Sequence, residues 1–278
     1  MNKVNLLAGL FAVGLITGLT ACNTQSTSTA AKVKTPQNEM EPISVPFAKE
    51  TEVSFKAADG GAVFADLHIT DGAQTAPFII LFHQAGASGR GEYTNIIPKL
   101  KDKGYDLLVV DQRSGGGYFG SENRTVKARG KKSSYCAAYP DMEAALAFTK
   151  TKTDGAIFAW GSSYSAALSL KLASEHGADL AGVLSFSPAA GKGMGPCAAN
   201  NFIAGVNIPA LGLRPDSEMG NDINKGGQAQ RTLYQAQDLE YYVAKDGVHG
   251  SSMLDPQRAK GDTEPTWDAV LAFLEKHK

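Results

Sequence analysis

The sequence predicts an α/β fold in which a mainly parallel sheet carries helices on both faces. Short, continuously apolar runs such as PFIILF and LLVV are typical of strands that are buried on both sides. Segments with helical apolar spacing alternate with these runs, which is the pattern of strand–helix–strand units. The domain, residues 49–278, is large enough for one substantial core. In such a sheet, functional groups lie just beyond the C-terminal ends of the strands.

The predicted elements follow in order from the start of this domain. Residues 51–56 and 62–69 alternate apolar and polar side chains around Asp59-Gly60-Gly61, which predicts a β-hairpin. Further strands are predicted at 77–82, 107–110, 157–160, 180–186, 208–213 and 239–243. Helices are predicted at 92–103, 140–150, 164–175 and 267–275. The glycine-rich, basic segment 115–132 is expected to form a surface loop near the mouth of a pocket.

The N-terminal 21 residues have the features of a secretory signal. Lys3 precedes an uncharged apolar run, 6–21, that is too short for a comfortable membrane span. The run ends in Leu-Thr-Ala before Cys22, which resembles the lipobox of bacterial lipoproteins. That resemblance implies removal of residues 1–21 and lipidation of Cys22, and Asn23 then weakly favours the outer membrane. An ordinary signal peptide is the alternative.

The composition after the signal indicates a tethered domain with few classes of partner. Residues 22–48 are rich in Ser, Thr, Gln and Pro and predict a flexible tether. The formal net charge is −1 and both signs are scattered, so nucleic acid is not an expected partner. No H-E-x-x-H or paired-cysteine ligand spacing occurs, so neither a metal nor a cofactor is expected. The expected partners are a small-molecule substrate and, through the anchor, a lipid bilayer; the oligomeric state stays open.

The stretch IFAWGSSYSAALSL, residues 157–170, contains three serines between a predicted strand and a predicted helix. A nucleophile on such a sharp strand–turn–helix needs small residues two positions before and two after it. Ser163 meets this demand, with Gly161 before it and Ser165 after it. Ser162 would have bulky aromatic residues at both positions, and Ser165 lies inside the helix. Ser163 is therefore the candidate nucleophile.

This arrangement resembles the α/β-hydrolase fold family, and the run HQAGAS followed by GEY is most similar to its dienelactone-hydrolase-like members. The family elbow is usually G-x-S-x-G, whereas Ser165 stands here in place of the last glycine. The resemblance implies that the backbone N–H groups of Tyr164 and Ala85 form an oxyanion hole, with Gln84 replacing a common glycine. It also implies a structural role for His83.

A serine hydroxyl needs a base to take its proton, and histidine suits this task. His249 follows the last predicted strand and precedes the closing helix, which is the family's position for the catalytic histidine. The other histidines have expected structural or surface positions: His68 pointing outward on the hairpin, His83 holding the loop that carries Ala85, His176 at a helix end and His277 near the C-terminus.

The third catalytic group is expected in the loop RPDSE, residues 214–218. Glu218 and Asp216 are the two candidate carboxylates. In many family members the acid comes nine residues after the proline that opens the preceding strand, and counting from Pro209 leads to Glu218. Asp is the commoner acid in the family, which favours Asp216. Glu218 is the preferred candidate and Asp216 stays open.

The run VVDQRSG resembles the family's D-x-R-G turn, in which Asp111 and Arg113 are chiefly structural; the alternative is that Arg113 reaches an anionic substrate.

Cys136 and Cys197 are either a disulfide, as an exported protein permits, or two small buried apolar side chains.

The resemblance implies a serine hydrolase that cleaves carboxylic esters through an acyl-enzyme. Only a short segment separates the strands at 180–186 and 208–213, so a large cap is absent and small or soluble esters are favoured. The alternatives are a peptidase of the same fold and a binding lipoprotein that kept the fold without the chemistry. The expected location is the bacterial cell envelope.

Overall fold

The computed structural model of the protein describes residues 50–70, 73–220 and 226–278. Its strands are β1 (Glu50–Lys56), β2 (Ala62–His68), β3 (Phe78–Phe82), β4 (Asp106–Asp111), β5 (Ile157–Ser162), β6 (Gly182–Phe186), β7 (Ala210–Pro215) and β8 (Glu240–Ala244). Its α-helices are α1 (Gly89–Tyr93), α2 (Ile97–Asp102), α3 (Arg124–Arg129), α4 (Tyr139–Thr149), α5 (Tyr164–His176), α6 (Gly227–Gln235) and α7 (Glu264–His277). The predicted signal peptide, Cys22 and the tether lie outside the described residues. Among the described helices, none has the length and apolar character that crossing a bilayer requires.

The eight strands form one sheet in the order β1-β2-β4-β3-β5-β6-β7-β8. The hairpin β1–β2 is antiparallel and joins β4 in an antiparallel pair. From β4 to β8 every neighbouring pair is parallel. The prediction of a mainly parallel sheet is therefore confirmed, and the C-terminal ends of β3 to β8 meet at one edge.

Helices cover both faces of this sheet, and each face has its own apolar core. One core packs α4, α5 and α6 against the strands through side chains such as Met142, Leu168 and Tyr234. The other packs α1, α2 and α7 through side chains such as Tyr93 and Trp267. Burial on both sides is why β3 and β4 consist of continuous apolar residues.

The structure corrects three local expectations. The single helix predicted at 92–103 is two short helices, because Pro98 lies in the first turn of α2 and cannot continue a helix from α1. The expected loop 115–132 contains α3, whose N-terminus is capped by the Asn123 side chain. His68 is buried rather than outward, and it shares a face of β2 with Asp66, whose carboxylate is covered by Arg90 and Arg124.

The connection between β6 and β7 is short and consists of 3₁₀ turns, at Lys192–Cys197, Ala199–Asn201 and Ile203–Gly205. The described residues therefore form a short cap or none between β6 and β7, and this segment leaves the C-terminal edge of the sheet accessible.

Candidate active site

Ser163 occupies a strained turn between β5 and α5. Its φ of 60° and ψ of −114° place a non-glycine residue in a region that L-residues rarely adopt. A Cβ atom at Gly161 would lie 2.4 Å from the Ser165 backbone oxygen, so only glycine fits there. This is the close approach that a nucleophile elbow requires, and it holds Ser163 at the N-terminus of α5, where the helix dipole favours negative charge.

Ser165 has a structural use that explains the departure from the usual glycine. Its hydroxyl accepts a hydrogen bond from the Ser162 backbone N–H at 2.8 Å and donates one to the Phe82 carbonyl at 2.7 Å. The side chain thereby ties the elbow, residues 161–165, to the end of β3. A glycine at this position would leave these groups without that link.

The loop of residues 83–88, called the oxyanion loop below, is held from beneath by His83. Nδ1 of this fully buried ring lies 2.8 Å from the Gln84 carbonyl, and Nε2 accepts from the Gln112 backbone N–H at 3.0 Å. Burial lowers the pKa of His83, so the ring is neutral and donates through Nδ1. Within the described residues, the backbone N–H groups of Ala85 and Tyr164 donate to no backbone or side-chain acceptor. Both are therefore free to bind a developing oxyanion.

His249 and Glu218 form a pair in the loops that follow β8 and β7. His249 Nδ1 lies 2.5 Å from Glu218 Oε1, and Arg214 Nη1 lies 2.6 Å from Glu218 Oε2. Burial raises the pKa of Glu218, but the hydrogen bond and charge of His249 and the charge of Arg214 outweigh burial and hold the pKa below its usual range. Asp216 faces away from the imidazole: its carboxylate accepts from the Ser217 and Asp246 backbone N–H groups.

The histidine loop, residues 245–252, packs directly on the elbow. The Ser251 backbone N–H donates to Ser162 Oγ at 2.9 Å, and the Gly250 N–H donates to Ser187 Oγ at 3.0 Å. Gly250 has a φ of 68°, and a Cβ atom there would lie 2.4 Å from Ser162 Oγ. His249 therefore lies two residues before Ser251, whose N–H binds Ser162, the residue that precedes Ser163.

Glu92 is a component of this region that the sequence analysis missed. It lies on α1, is fully buried, and places its carboxylate 2.5 Å from Ser162 Oγ and 2.5 Å from the Gln84 backbone nitrogen. Burial raises its pKa to about 7. The local pattern around GEY reads as the exposed start of a helix, so no short-range signal marks this glutamate as buried.

Arg113 is a structural residue, as the family resemblance implies. Its guanidinium is buried and donates to Asp141 Oδ1 at 2.9 Å, and it forms a further ion pair with Asp59. Asp111 similarly accepts from the Gly89 backbone N–H and pairs with Arg124. Since both Arg113 partners are carboxylates of the chain, this guanidinium is not available to an anionic substrate.

A cavity of about 450 Å³ opens beside the oxyanion loop. Ala85, Tyr118, Lys132 and Tyr135 contribute to its lining, and Tyr135 stacks on Tyr164 with ring centroids 5.1 Å apart. The walls carry several hydroxyl groups and one lysine. The cavity therefore has the polarity of a site for a small, partly polar molecule.

Cys136 and Cys197 are bonded through their sulfur atoms, with Cα atoms 5.5 Å apart. This separation is usual for a disulfide. The bond joins the segment beside Tyr135 to the 3₁₀ turns that follow β6, and both segments flank the cavity.

One cluster of possible metal ligands lies away from this edge. Donor atoms of Glu143, Glu175 and His176 lie within 4.8 Å of one another near the surface of α4 and α5. Glu175 is engaged by Lys171 and by the Tyr139 hydroxyl. These three side chains therefore belong to a surface network of ion pairs and hydrogen bonds.

Comparison with known proteins places the fold. No family model matches the chain, and no curated protein matches its sequence. Among solved structures, an esterase from Pyrococcus furiosus superposes with a TM-score of 0.63 at 13% identity, covering 83% of this chain and 91% of that one. A candidate dienelactone hydrolase from Klebsiella pneumoniae superposes with a TM-score of 0.63 at 14% identity, covering 82% and 98%.

A third structure, the acylaminoacyl peptidase of Pyrococcus horikoshii, matches with a TM-score of 0.59 at 13% identity. It covers 82% of this chain, but this chain spans only 41% of the peptidase. The sheet order, the elbow between β5 and α5 and these superpositions agree: the protein has the α/β-hydrolase fold.

Proposed function

We propose that the protein is a serine hydrolase that cleaves carboxylic esters through an acyl-enzyme, with Ser163, His249 and Glu218 as the catalytic triad. The observation that carries the proposal is the hydrogen-bonded pair of His249 and Glu218, set on loops that pack against the strained Ser163 turn. A histidine oriented by a carboxylate beside an elbow serine is the arrangement that activates a hydroxyl.

Acylation begins when Ser163 Oγ attacks the ester carbonyl carbon and His249 Nε2 takes the hydroxyl proton. Nε2 is the basic atom because Nδ1 faces Glu218 Oε1 at 2.5 Å and carries its proton there. The Glu218 carboxylate then stabilises the imidazolium. His249 returns the proton to the alcohol as the tetrahedral intermediate collapses.

The Tyr164 and Ala85 backbone N–H groups stabilise the oxyanion in both halves of the reaction. Neither donates to an acceptor among the described residues, so no internal bond has to break when the charge develops. In the second half, His249 takes a proton from the water that attacks the acyl-enzyme carbonyl, and it gives this proton to Ser163 Oγ as the acid is released.

Small or soluble esters are the proposed substrates. The connection between β6 and β7 holds only short 3₁₀ turns, so no large cap forms a deep apolar tunnel. The neighbouring cavity of about 450 Å³ has a mixed polar and apolar lining that suits a small molecule with some hydrogen-bonding groups.

Turnover of a panel of p-nitrophenyl esters with graded acyl chains tests this proposal. The wild-type protein should hydrolyse the short esters, and Ser163→Ala should lose this activity while keeping its thermal midpoint within a few degrees. Ser174→Ala, on the same helix with its hydroxyl bonded to the Lys171 carbonyl, is the matched control and should keep full activity. Full activity in Ser163→Ala would overturn the nucleophile assignment.

We also propose that Cys22 anchors the protein to the cell envelope. The support is the lipobox-like sequence and the polar tether that follows it. Expressed in a bacterial host, the full chain should fractionate with membranes and Cys22→Ser should not. Membrane association that survives this substitution would contradict the lipid anchor.

A further inference from the structure

Glu92 is a buried acid with no ion-pair partner in contact among the described residues. Its side chain is 0% exposed, and its carboxylate bonds Gln84, eight residues before it, and Ser162, 70 residues after it. Ionised carboxylates are rarely buried in this way unless hydrogen bonds replace their solvation. The groups that supply these hydrogen bonds belong to two loops of the proposed catalytic centre, and a third loop is reached through Ser162.

The first loop is the oxyanion loop. Glu92 Oε2 accepts from the Gln84 backbone N–H at 2.5 Å, and Oε1 lies 3.3 Å from Gln84 Nε2. Gln84 directly precedes Ala85, whose N–H is the proposed oxyanion donor. The same residue is held on its carbonyl side by His83 and the Ala87 N–H. The backbone of Gln84 is therefore held at its N–H by Glu92 and at its carbonyl by His83 and Ala87.

The other two loops are the elbow and the histidine loop. Ser162 Oγ lies 2.5 Å from Glu92 Oε1 and accepts from the Ser251 backbone N–H at 2.9 Å. Since that hydroxyl accepts from Ser251, its own proton is directed to Glu92. Glu92 thus binds the residue before Ser163 directly, and the same Ser162 hydroxyl binds Ser251 of the histidine loop.

We propose that the ionised Glu92 carboxylate is a positioning residue that keeps the oxyanion loop, the elbow and the histidine loop in their catalytic arrangement. The proposal rests on the proposed function above, and it concerns alignment, since Glu92 contacts none of the reacting atoms. The three groups bonded to the Glu92 carboxylate all donate to it: the Gln84 N–H, the Gln84 side-chain amide and the Ser162 hydroxyl. This pattern matches an ionised carboxylate, which can only accept hydrogen bonds.

Protonation of Glu92 would remove this alignment. Burial raises its pKa to about 7, while the Ser162 hydrogen bond, the Gln84 N–H and the charges of Arg258 and His249 act in the opposite direction. The side chains of Tyr93, on the same helix, and of Tyr164, on α5, also interact electrostatically with the Glu92 carboxylate. A proton on Glu92 competes with the hydroxyl proton of Ser162 for one oxygen. The network should therefore loosen as the pH falls through about 7.

Steady-state kinetics of Glu92→Gln on a short ester from about pH 5 to pH 9 tests the proposal. The glutamine side chain keeps the shape of Glu92, but its NH₂ group faces one of two hydrogen-bond donors, the Gln84 N–H or the Ser162 hydroxyl. We expect kcat to fall by about 10- to 100-fold at pH 8, with KM within about twofold of the wild type, because misalignment affects the transition state more than binding. The acid-side decline of kcat should also be shallower than in the wild type, since the variant has no proton to gain at this position.

The matched control is Asp106→Asn, a buried carboxylate that accepts from Thr70 at the opposite end of the parallel strands. It should keep the wild-type kcat and pH profile. If Glu92→Gln does not fold, Ser162→Ala decides the question, because it removes the hydroxyl that joins Glu92 to Ser251 and should also lower kcat without raising KM.

Unchanged kcat and an unchanged pH profile in a folded Glu92→Gln protein would overturn the positioning role while leaving the triad intact. A wild-type protein without ester turnover would instead refute the proposed function itself. The two failures are therefore distinguishable.

Discussion

Glu218→Gln isolates the electrostatic contribution of the proposed catalytic acid. The amide keeps an oxygen that can accept the His249 Nδ1 proton, but it removes the negative charge that faces the imidazolium in the transition state. Two unit charges about 4 Å apart interact by about 4 kcal/mol at an effective dielectric constant of about 20. Since 1.36 kcal/mol corresponds to a tenfold change in rate, the upper limit of the effect is about 10³-fold.

Exposure lowers this limit. The side chain of Glu218 is 15% exposed and that of His249 is 47% exposed, so solvent screens part of the interaction. If half of the energy remains, about 2 kcal/mol, kcat falls by about 30-fold. The expected decrease in kcat for Glu218→Gln is therefore between about 30-fold and about 10³-fold.

The assay is turnover of a short p-nitrophenyl ester at pH 8, with the fold checked by far-UV circular dichroism because Arg214 also contacts Glu218. Asp216→Asn is the control and should change kcat by less than about twofold, since the Asp216 carboxylate accepts from the backbone N–H groups of Ser217 and Asp246 and not from the imidazole. A large loss in Asp216→Asn with little loss in Glu218→Gln would refute the assignment of Glu218.

Three other predictions concern the framework around the site. Gly250→Ala should lower both kcat and the free energy of unfolding, because the new methyl group would collide with Ser162 in the elbow. Gly104 also has a positive φ but has open space around it. Gly104→Ala should therefore lower the free energy of unfolding in urea by only about 1 kcal/mol. Intact mass without reductant should show Cys136 and Cys197 joined, and replacing both by serine should lower stability by up to about 4 kcal/mol; two free thiols would contradict this. Burial raises the pKa of Glu92 to about 7, whereas a glutamate in the unfolded chain releases its proton near pH ~4.3. Between these pH values the folded protein binds a proton that the unfolded chain has lost. The free energy of unfolding of the wild type relative to Glu92→Gln should therefore fall by about 3 kcal/mol between about pH 4 and pH 8. A difference in stability that stays constant with pH would contradict this third prediction.

The sheet could be predicted because its strands carry the signal within themselves. PFIILF and the other apolar runs must be buried on both faces wherever they lie, and β3 and β4 are indeed the buried centre of the sheet. The elbow could be predicted for the same local reason, since the small residues around Ser163 are needed by the turn itself.

Features that depend on distant contacts could not be predicted in this way. Helix α3 has no apolar periodicity, and its stability comes from the Asn123 cap and from Arg124 pairing with Asp111. Glu92 looks like an ordinary acid near a helix start, and its burial follows from a contact with Ser162, which is 70 residues away in the sequence. The choice of Glu218 came from a family resemblance, because two nearby carboxylates are locally indistinguishable.

The most direct test of the central claim is to identify the residue that a fluorophosphonate probe modifies. Peptide mass spectrometry of the labelled wild-type protein should find one adduct per chain, on Ser163, because among the serines that the structure describes this one occupies the strained elbow beside the proposed base and the two proposed N–H donors. Ser163→Ala should remain unlabelled under the same conditions. An unlabelled wild-type protein, or an adduct on another serine, would contradict the account.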